Sequence, residues 1–215
     1  MDNVKNCQVI GVSYKNADLD TRGLFSLSDI QLHSLFLEAK EKSFKELLII
    51  NTCNRIEIFG WNNNTDDFIN LLCKHSNGDI KTFEKFGYIL TGNKAIKHLF
   101  RVGTGLDSQI LGDFEIIGQL KQSLNKSKRL NLVSGRLERL VNSVIYSSKK
   151  IKNQTKLSSG ATSVAYASVQ YIIKNVKNIS KKKIVLFGIG KIGRNTCENL
   201  IKHTKNEHIV LINRT

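Results

Sequence analysis

Apolar and polar positions alternate along four short segments in the first part of the chain, and this pattern is typical of strands. The segments lie at 7–14, 46–51, 56–61 and 82–90. Between them, Ser28-Asp29-Ile30-Gln31 resembles a capping box that opens a helix to about residue 42, and Thr65 opens another to about His75. The pattern therefore predicts a compact α+β unit that ends near residue 92.

The middle of the chain has helical periodicity instead. Apolar residues recur three and four positions apart, which predicts four helices with short connections. Their predicted ranges are 94–101, 113–128, 135–152 and 162–175. The α+β unit should therefore carry a helical extension.

A glycine-rich turn follows the apolar segment 183–187 and precedes a predicted helix at 194–203 and a strand at 208–212. A GxGxxG pattern between a strand and a helix is typical of a Rossmann-type dinucleotide site. Its first glycine would allow the tight turn, its second the approach of a pyrophosphate, and its third close helix packing, with the phosphate at the helix N-terminus. The predicted cofactor-binding residues in this turn are Gly188, Ile189, Gly190, Lys191, Ile192 and Gly193.

The residues after the last strand indicate which cofactor is bound. NAD-binding proteins usually place an acidic residue there, against the ribose hydroxyls. This chain has Asn213, Arg214 and Thr215 at that position, without a carboxylate. A cation and a hydroxyl suit a 2′-phosphate, so NADPH is expected; the alternative is that Arg214 is a solvated loop residue.

Composition narrows the class of protein. A hydrophobic fraction of 40% and a charged fraction of 24% over 215 residues are those of a globular protein, and no apolar stretch is long enough to span a bilayer. The net charge of +15 favours a polyanionic partner. A lysine-rich composition without proline can equally reflect a biased genome.

Cysteine usage favours a reducing, cytoplasmic compartment. Cys7, Cys53, Cys73 and Cys197 are far apart and form no CxxC pair. Zinc sites use closer ligand pairs, and disulfide frameworks occur mainly in small secreted chains, so free thiols and no metal site are expected.

Cys53 is a candidate nucleophile because it lies on a short polar loop between two predicted strands, in the tetrapeptide Thr52-Cys53-Asn54-Arg55. A neighbouring arginine favours the thiolate, and a loop gives access to a substrate. The alternative is an ordinary, half-buried strand cysteine.

Three motifs in order make the chain similar to the glutamyl-tRNA reductase family. The TCNR stretch at 52–55 matches the region of the family's active cysteine. HLFRVGTGLDS at 98–108 with LGDFEIIGQ at 111–119 matches a second motif, and SVAYA at 163–167 a third. Asp113-Phe114 stands where the family usually has Glu-Pro, which fits a chain that lacks proline.

The resemblance implies reduction of glutamyl-tRNA to glutamate-1-semialdehyde, the first step of tetrapyrrole (porphyrin) synthesis from glutamate. Cys53 would attack the ester to form a thioester, NADPH would supply hydride, and His98 would assist proton transfer. Arg55 would grip the substrate carboxylate as a bidentate ligand. The implied substrate-binding residues are Thr52, Asn54, Arg55, Ser108, Asp113, Phe114, Glu115 and Gln119.

The resemblance also implies the organisation of the chain. Residues 1–158 would form the catalytic, glutamyl-tRNA-binding domain, with its α+β core to about 92. Residues 159–215 would form a linker helix and the first βαβ of an NADPH-binding Rossmann domain. Because two strands leave an apolar sheet edge unpaired, we expect a fragment of a longer protein, which as a piece would be poor at hydride transfer.

Several partners and alternatives stay open at this level. The family forms homodimers through a C-terminal domain absent here, and glutamate-1-semialdehyde aminomutase is a further candidate partner. The alternatives are a non-catalytic tRNA- or adaptor-binding module, an NADP-dependent dehydrogenase of a small metabolite, or a glutamyl-tRNA esterase. The candidate phosphate ligands for tRNA are Lys126, Lys128, Arg129, Lys149, Lys150, Lys152 and Lys156.

Overall fold

A four-stranded antiparallel sheet organises the first part of the protein. The structure is a computed structural model that describes residues 4–62, 64–109, 111–113, 115–155 and 164–214. It has two compact units, one formed by 1–109 with 114–151 and the other by 110–113 with 152–215. The predicted domain boundary between 158 and 159 lies outside the described residues.

The sheet of the first unit has the strand order β2-β3-β1-β4. Its members are β1 (Cys7–Ser13), β2 (Leu47–Asn51), β3 (Arg55–Trp61) and β4 (Tyr88–Thr91). Each neighbouring pair is antiparallel, and Gly11 on β1 stands opposite both Glu57 on β3 and Tyr88 on β4. This register gathers those three residues on one face of the sheet.

Helices cover both faces of this sheet. The helices of the first unit are α1 (Leu19–Phe25), α2 (Asp29–Glu41), α3 (Thr65–His75), α4 (Ile80–Phe86), α5 (Asn93–Gly103), α6 (Glu115–Arg129) and α7 (Gly135–Gln154). The capping box predicted at Ser28 is confirmed, since its side chain accepts from the Gln31 amide while the Gln31 side chain bonds the Ser28 amide. Helix α2 thus begins where the local sequence supports it.

Alternate residues of each strand divide the core into two apolar clusters. Ile10 and Ile58 point to the face that is covered by α1 to α4. There they belong to one apolar cluster with Leu35 of α2 and Phe68 of α3. Val9 belongs with Phe59 to the opposite face, where the apolar residues come from α5, α6 and α7. The sheet is therefore buried on both sides, and any charged residue within it needs a partner.

Edge strand β2 is covered by α6 and the segment that follows it. The Ile49 amide donates to Ser123 Oγ at 3.0 Å, and the Leu47 amide donates to the Leu132 carbonyl at 2.9 Å. These bonds satisfy edge groups that an open sheet would leave free.

The predicted strand at 82–90 is wrong over most of its length. Residues Ile80–Phe86 form α4, and only Tyr88–Thr91 form a strand. Asp79 caps the helix, because its Oδ1 accepts the Thr82 amide at 2.7 Å, and Phe83 then lies buried in the core. A helix at Leu19–Phe25, capped in the same way by Asp18, was also missed.

The second unit contains a parallel strand pair around a helix. Its elements are α8 (Val164–Asn175), a 3-10 turn (Ile179–Lys181), β5 (Ile184–Phe187), α9 (Lys191–Thr204) and β6 (Ile209–Ile212). Strands β5 and β6 pair in parallel register, as predicted for a βαβ unit. Across the residues that the structure describes, none of the helices has the length and apolar character needed to cross a bilayer.

Candidate functional site

Cys53 occupies a tight turn between β2 and β3, and its side chain is exposed. The Thr52 amide donates to the Arg55 carbonyl at 2.9 Å, which closes the turn. Thr52 Oγ1 accepts the amides of Asn54 and Arg55, each at 3.1 Å. The thiol is therefore presented to solvent by a turn in which the amides of Thr52, Asn54 and Arg55 are satisfied internally.

The same turn is fixed to neighbouring segments on either side. The Asn54 carbonyl accepts the Tyr14 amide at 2.9 Å, just beyond the end of β1. The Asn51 side chain donates to the Leu27 carbonyl at 2.6 Å and accepts the Leu27 amide at 3.3 Å. Two connections thus hold the cysteine in place relative to the sheet.

Glu57, two residues after Arg55 on β3, is the centre of a buried polar network. Its Oε1 accepts from Arg55 Nη1 at 2.8 Å, from the Tyr88 hydroxyl, and lies 2.9 Å from His98 Nε2. Only 1% of Glu57 is exposed. A carboxylate this deep is stable only because three groups on β3, β4 and α5 donate to it.

Gly11 provides the space for this network. A Cβ at Gly11 would lie 2.8 Å from Glu57 Cγ and 3.1 Å from the Tyr88 hydroxyl oxygen, and 2.6 Å from the Ile56 carbonyl oxygen. Any larger residue at this position would displace the buried carboxylate or the strand beside it.

The electrostatics of Glu57 follow from these contacts. Burial alone would raise the pKa of its carboxyl, but the hydrogen bond and charge of His98 and the charge of Arg55 outweigh burial and lower the pKa to about 2. Burial and the Glu57 charge raise the pKa of Tyr88 well above its usual value. At neutral pH, Glu57 is thus ionised and Tyr88 is a neutral donor.

The ionised Glu57 carboxylate determines which nitrogen of His98 carries the shared proton. An ionised carboxylate can only accept, so the proton in the 2.9 Å contact resides on His98 Nε2. Glu57 therefore orients the histidine ring through Nε2, and Nδ1 is the nitrogen that this contact does not use.

Asp107, in the segment after α5, extends the network. Its Oδ2 lies 3.2 Å from both terminal nitrogens of Arg55, its carbonyl accepts from Arg55 Nη2, and its Oδ1 pairs with Lys15. Burial opposes ionisation, but the Lys15 hydrogen bond and the charge of Arg55 lower the pKa of the Asp107 carboxyl. Arg101 also lies 4.0 Å from Asp107 Oδ1.

The predicted site residues divide into several groups in the structure. Cys53, Thr52 and Asn54 form the turn, and His98 is linked to Arg55 through Glu57. Ser108 is half-buried beside Asp107 in the chain. The guanidinium of Arg55 is 3% exposed and fully engaged by the two carboxylates, so it does not present a free fork to solvent.

The remaining predicted substrate-binding residues lie on or before α6. Gln119 lines a recess of about 230 Å³ together with Asn51 of β2 and residues of α2. Glu115 is exposed and Asp113 half-buried, whereas Phe114 lies outside the described residues.

Sequence reasoning missed Glu57, Tyr88, Asp107 and Lys15 as parts of the site. A signal for Glu57 was present, since it interrupts the apolar run Ile56-Glu57-Ile58-Phe59 at an inward position. A charge within a buried strand indicates a partner elsewhere. The identity of that partner, 41 residues away in the case of His98, was not readable from local pattern.

The glycine-rich turn of the second unit joins β5 to the N-terminus of α9. Gly188 has φ of +91°, which side chains rarely adopt, and a Cβ on Gly193 would lie 1.9 Å from the Gly188 carbonyl oxygen. By contrast, a Cβ on Gly190 would meet nothing within 4 Å. Gly190 is also the N-cap of α9 and has no side-chain cap, so open space adjoins the helix N-terminus.

The residues after β6 contribute to the same turn. Asn213 Oδ1 lies 3.5 Å from the Ile189 amide, and the Gly188 amide donates to the Ile212 carbonyl at 2.7 Å. Arg214 is exposed. Ile192 is also exposed, while the side chain of Lys191 and all of Thr215 lie outside the described residues.

The candidate phosphate ligands differ in their partners. Lys126 lies 3.6 Å from Asp29, and Lys128 pairs with Glu138. Lys149, Lys150 and Arg129 are exposed, as is Lys152, which has a partner; Lys156 lies outside the described residues.

Taken together, the fold and the site are those of a two-part protein: an α+β unit that presents the Cys53 thiol on an exposed turn and holds His98 against Glu57, and a βαβ unit with a glycine-rich turn between its first strand and its helix. The sequence profile described as "Glutamyl-tRNAGlu reductase, N-terminal domain" matches residues 10–155. The chain therefore belongs to the glutamyl-tRNA reductase family.

Individual relatives agree with this assignment. The chain is 56% identical over 211 residues to glutamyl-tRNA reductase of Christiangramia forsetii, covering 98% of this chain and 50% of the relative. It is 58% identical over 206 residues to glutamyl-tRNA reductase 2 of Flavobacterium johnsoniae, covering 96% and 48%. The chain thus spans about half the length of the curated relatives it matches.

A solved structure supports the fold. Glutamyl-tRNA reductase from Methanopyrus kandleri aligns with a TM-score of 0.68 at 21% identity, covering 98% of this chain and 50% of that one. The α+β architecture and the following α/β elements are therefore those of this fold.

Proposed function

We propose that this chain is the N-terminal part of an NADPH-dependent glutamyl-tRNA reductase that uses Cys53 as its nucleophile. The observation that carries the proposal is the exposed Cys53 thiol on an internally bonded turn, directly before the buried Arg55–Glu57–His98 network. Names of the relatives supply the substrate, glutamyl-tRNA, and the product follows as glutamate-1-semialdehyde.

In the proposed acyl transfer, each bond that breaks is matched by a bond that forms. Cys53 sulfur forms a bond to the glutamyl carbonyl carbon as the ester bond to the tRNA ribose oxygen breaks, and the thiol proton passes to that oxygen. His98 Nδ1, the nitrogen not used by Glu57, is the group that relays the proton. Glu57 holds the His98 ring through Nε2, and the Tyr88 ring packs against it edge to face with centroids 5.5 Å apart.

The residues of the second unit fit the cofactor. The backbone amides at the start of α9, the bare Gly190 and the exposed Arg214 would hold the pyrophosphate and the 2′-phosphate. NADPH, when bound, supplies the hydride that reduces the thioester. The protein's contribution is to bind and orient the cofactor.

Arg55 keeps its predicted role as a ligand of the substrate carboxylate under one condition. Its guanidinium must exchange Asp107 for the substrate, because both carboxylates compete for the same nitrogens. Lys15 and Arg101 would then remain as cations beside Asp107. The homodimer and the aminomutase partner stay predictions.

The test uses the full-length protein with glutamyl-tRNA. We expect semialdehyde when NADPH is present and, without it, a glutamyl adduct on Cys53 detectable by mass spectrometry. Cys53→Ser should abolish both, whereas Cys197→Ser, at a half-buried thiol of the second unit, should retain both. Full activity of Cys53→Ser would refute the proposal.

A further inference from the structure

The solvent-facing side of α7 forms a continuous polar surface, which we call the α7 stripe. Its opposite side packs into the core through Leu137, Val141, Val144 and Ser148. At 100° per residue, the exposed side chains fall on the reverse of that buried face. The α7 stripe consists of Arg139, Asn142, Ser143, Tyr146, Lys149 and Lys150, all exposed.

All the charged residues of the α7 stripe are basic. From residue 139 to the end of the helix at Gln154 the sequence contains no aspartate or glutamate, and the nearest acidic residue of the helix, Glu138, pairs with Lys128. Within the described part of the chain, Arg139, Lys149 and Lys150 form no ion pair. These three cations are therefore available to phosphates, unlike Lys126 and Lys128.

Tyr146 lies in the middle of these cations. It is 68% exposed, two helical turns after Arg139 and one turn before Lys149 and Lys150. An aromatic ring held on a rigid helix among cations is an arrangement that suits RNA, because unpaired bases stack on aromatic rings while the cations contact the backbone.

We infer that the α7 stripe is the surface on which the protein binds the body of the tRNA, with Tyr146 stacked on an unpaired base and Arg139, Lys149 and Lys150 on phosphates. This inference rests on the proposed function for the identity of the RNA. The stripe covers about 17 Å of helix, enough for several contacts along one strand. Charge complementarity selects RNA over an apolar protein partner.

The test measures binding of uncharged tRNA-Glu to the full-length protein over a range of salt concentrations. Tyr146→Ala should weaken binding roughly 5- to 100-fold, and Tyr146→Phe should preserve it because the ring remains. The double variant Lys149→Gln/Lys150→Gln should lower the slope of log K against log salt by roughly 1.4 to 1.8.

Matched control variants test whether these effects are specific to the α7 stripe. Tyr171→Ala removes a tyrosine that is 71% exposed on α8, and Lys81→Gln/Lys85→Gln removes two exposed lysines from α4. Both should bind tRNA like the unmodified protein. Equal binding by Tyr146→Ala, or equal salt slopes for the two lysine pairs, would overturn the inference.

The outcomes also separate this inference from the proposed function. A glutamyl adduct on Cys53 together with normal tRNA binding by the stripe variants would refute the tRNA-binding role of the α7 stripe and leave the catalytic proposal standing. Stripe-dependent tRNA binding without an adduct would refute the catalytic proposal alone. A changed oligomeric state in Tyr146→Ala with unchanged tRNA affinity would identify a protein interface and contradict the RNA assignment.

Discussion

Glu57 carries a negative charge on a strand whose neighbouring side chains are apolar. Arg55, Tyr88 and His98 all contact its carboxylate, and the low pKa of about 2 means that the charge is kept at every physiological pH. Removing one partner from a buried charged network is far more costly than removing an exposed pair. The network therefore stabilises the fold and also positions His98.

We expect Glu57→Gln to destabilise the first unit by roughly 3 kcal/mol at pH 7, because Arg55 loses its main buried counter-charge. The folded pKa lies below the ordinary value of 4.5, so the contribution is complete above about pH 4.5 and is lost as pH falls toward 2. Urea unfolding between pH 7 and pH 2.5 measures both effects.

The matched control for this change is Glu84→Gln on the exposed side of α4. It should alter stability by less than about 0.5 kcal/mol. A Glu57→Gln protein whose stability declines with acid as steeply as the unmodified protein would contradict the assigned pKa.

At the scale of elements, the turn that carries Cys53 depends on one hydroxyl. Thr52 Oγ1 accepts two backbone amides, so Thr52→Val should leave both without partners and cost about 1 to 3 kcal/mol. Thr52→Ser retains the oxygen and should lose much less. Hydrogen exchange at the Asn54 and Arg55 amides, faster only in the valine variant, is the measurement.

The close pairing of β1 with β3 depends on the missing side chain at Gly11. Gly11→Ala would place a Cβ 2.6 Å from the Ile56 carbonyl oxygen, so we expect a loss of several kcal/mol in unfolding free energy. Gly23→Ala on α1 meets nothing within 4 Å and should stabilise the helix by up to about 1 kcal/mol. Opposite shifts in the denaturant midpoint are expected; shifts of the same sign would contradict this account.

The elements also show what local sequence can predict. The capping box at Ser28 and the strand–turn–helix order around Gly188–Gly193 were predictable because their causes lie within a few residues. The segment 82–90 was not, since Phe86, Tyr88 and Leu90 alternate as in a strand. Phe83 and Phe86 are instead spaced as on one face of a helix, and only the Asp79 cap and the core decide between the two patterns.

At the scale of the whole molecule, the two units should respond separately to changes in the glycine-rich turn. Gly193→Ala would drive a Cβ into the Gly188 carbonyl, so we expect the second unit to unfold more easily while exchange protection in the sheet of the first unit is retained. Gly190→Ala should leave both units folded, since that Cβ has open space.

Nucleotide binding distinguishes these two variants in the full-length protein. Under the proposed function, Gly190→Ala weakens NADPH binding at least tenfold without loss of stability, because the methyl group takes the space of the pyrophosphate. Fluorescence titration measures this. Unchanged affinity would mean that the cofactor does not approach Gly190.

Only part of the site could be predicted from the sequence, because several of its contacts join residues that are far apart in the chain. Cys53 and Arg55 belong to one short motif, but the link from Arg55 to Asp107 spans 52 residues and the link from Glu57 to His98 spans 41. Such pairings arise from the packing of α5 against the sheet. Sequence pattern supplied the candidates, and the tertiary structure supplied their connections.

The cover over edge strand β2 has a consequence for synthesis on the ribosome. The Ile49 amide meets Ser123, whose codon is translated 74 residues later. At about 5 to 20 residues per second, the nascent strand waits roughly 4 to 15 s with its outer edge unprotected. During that interval the growing polypeptide is open to strand addition by a neighbouring nascent chain.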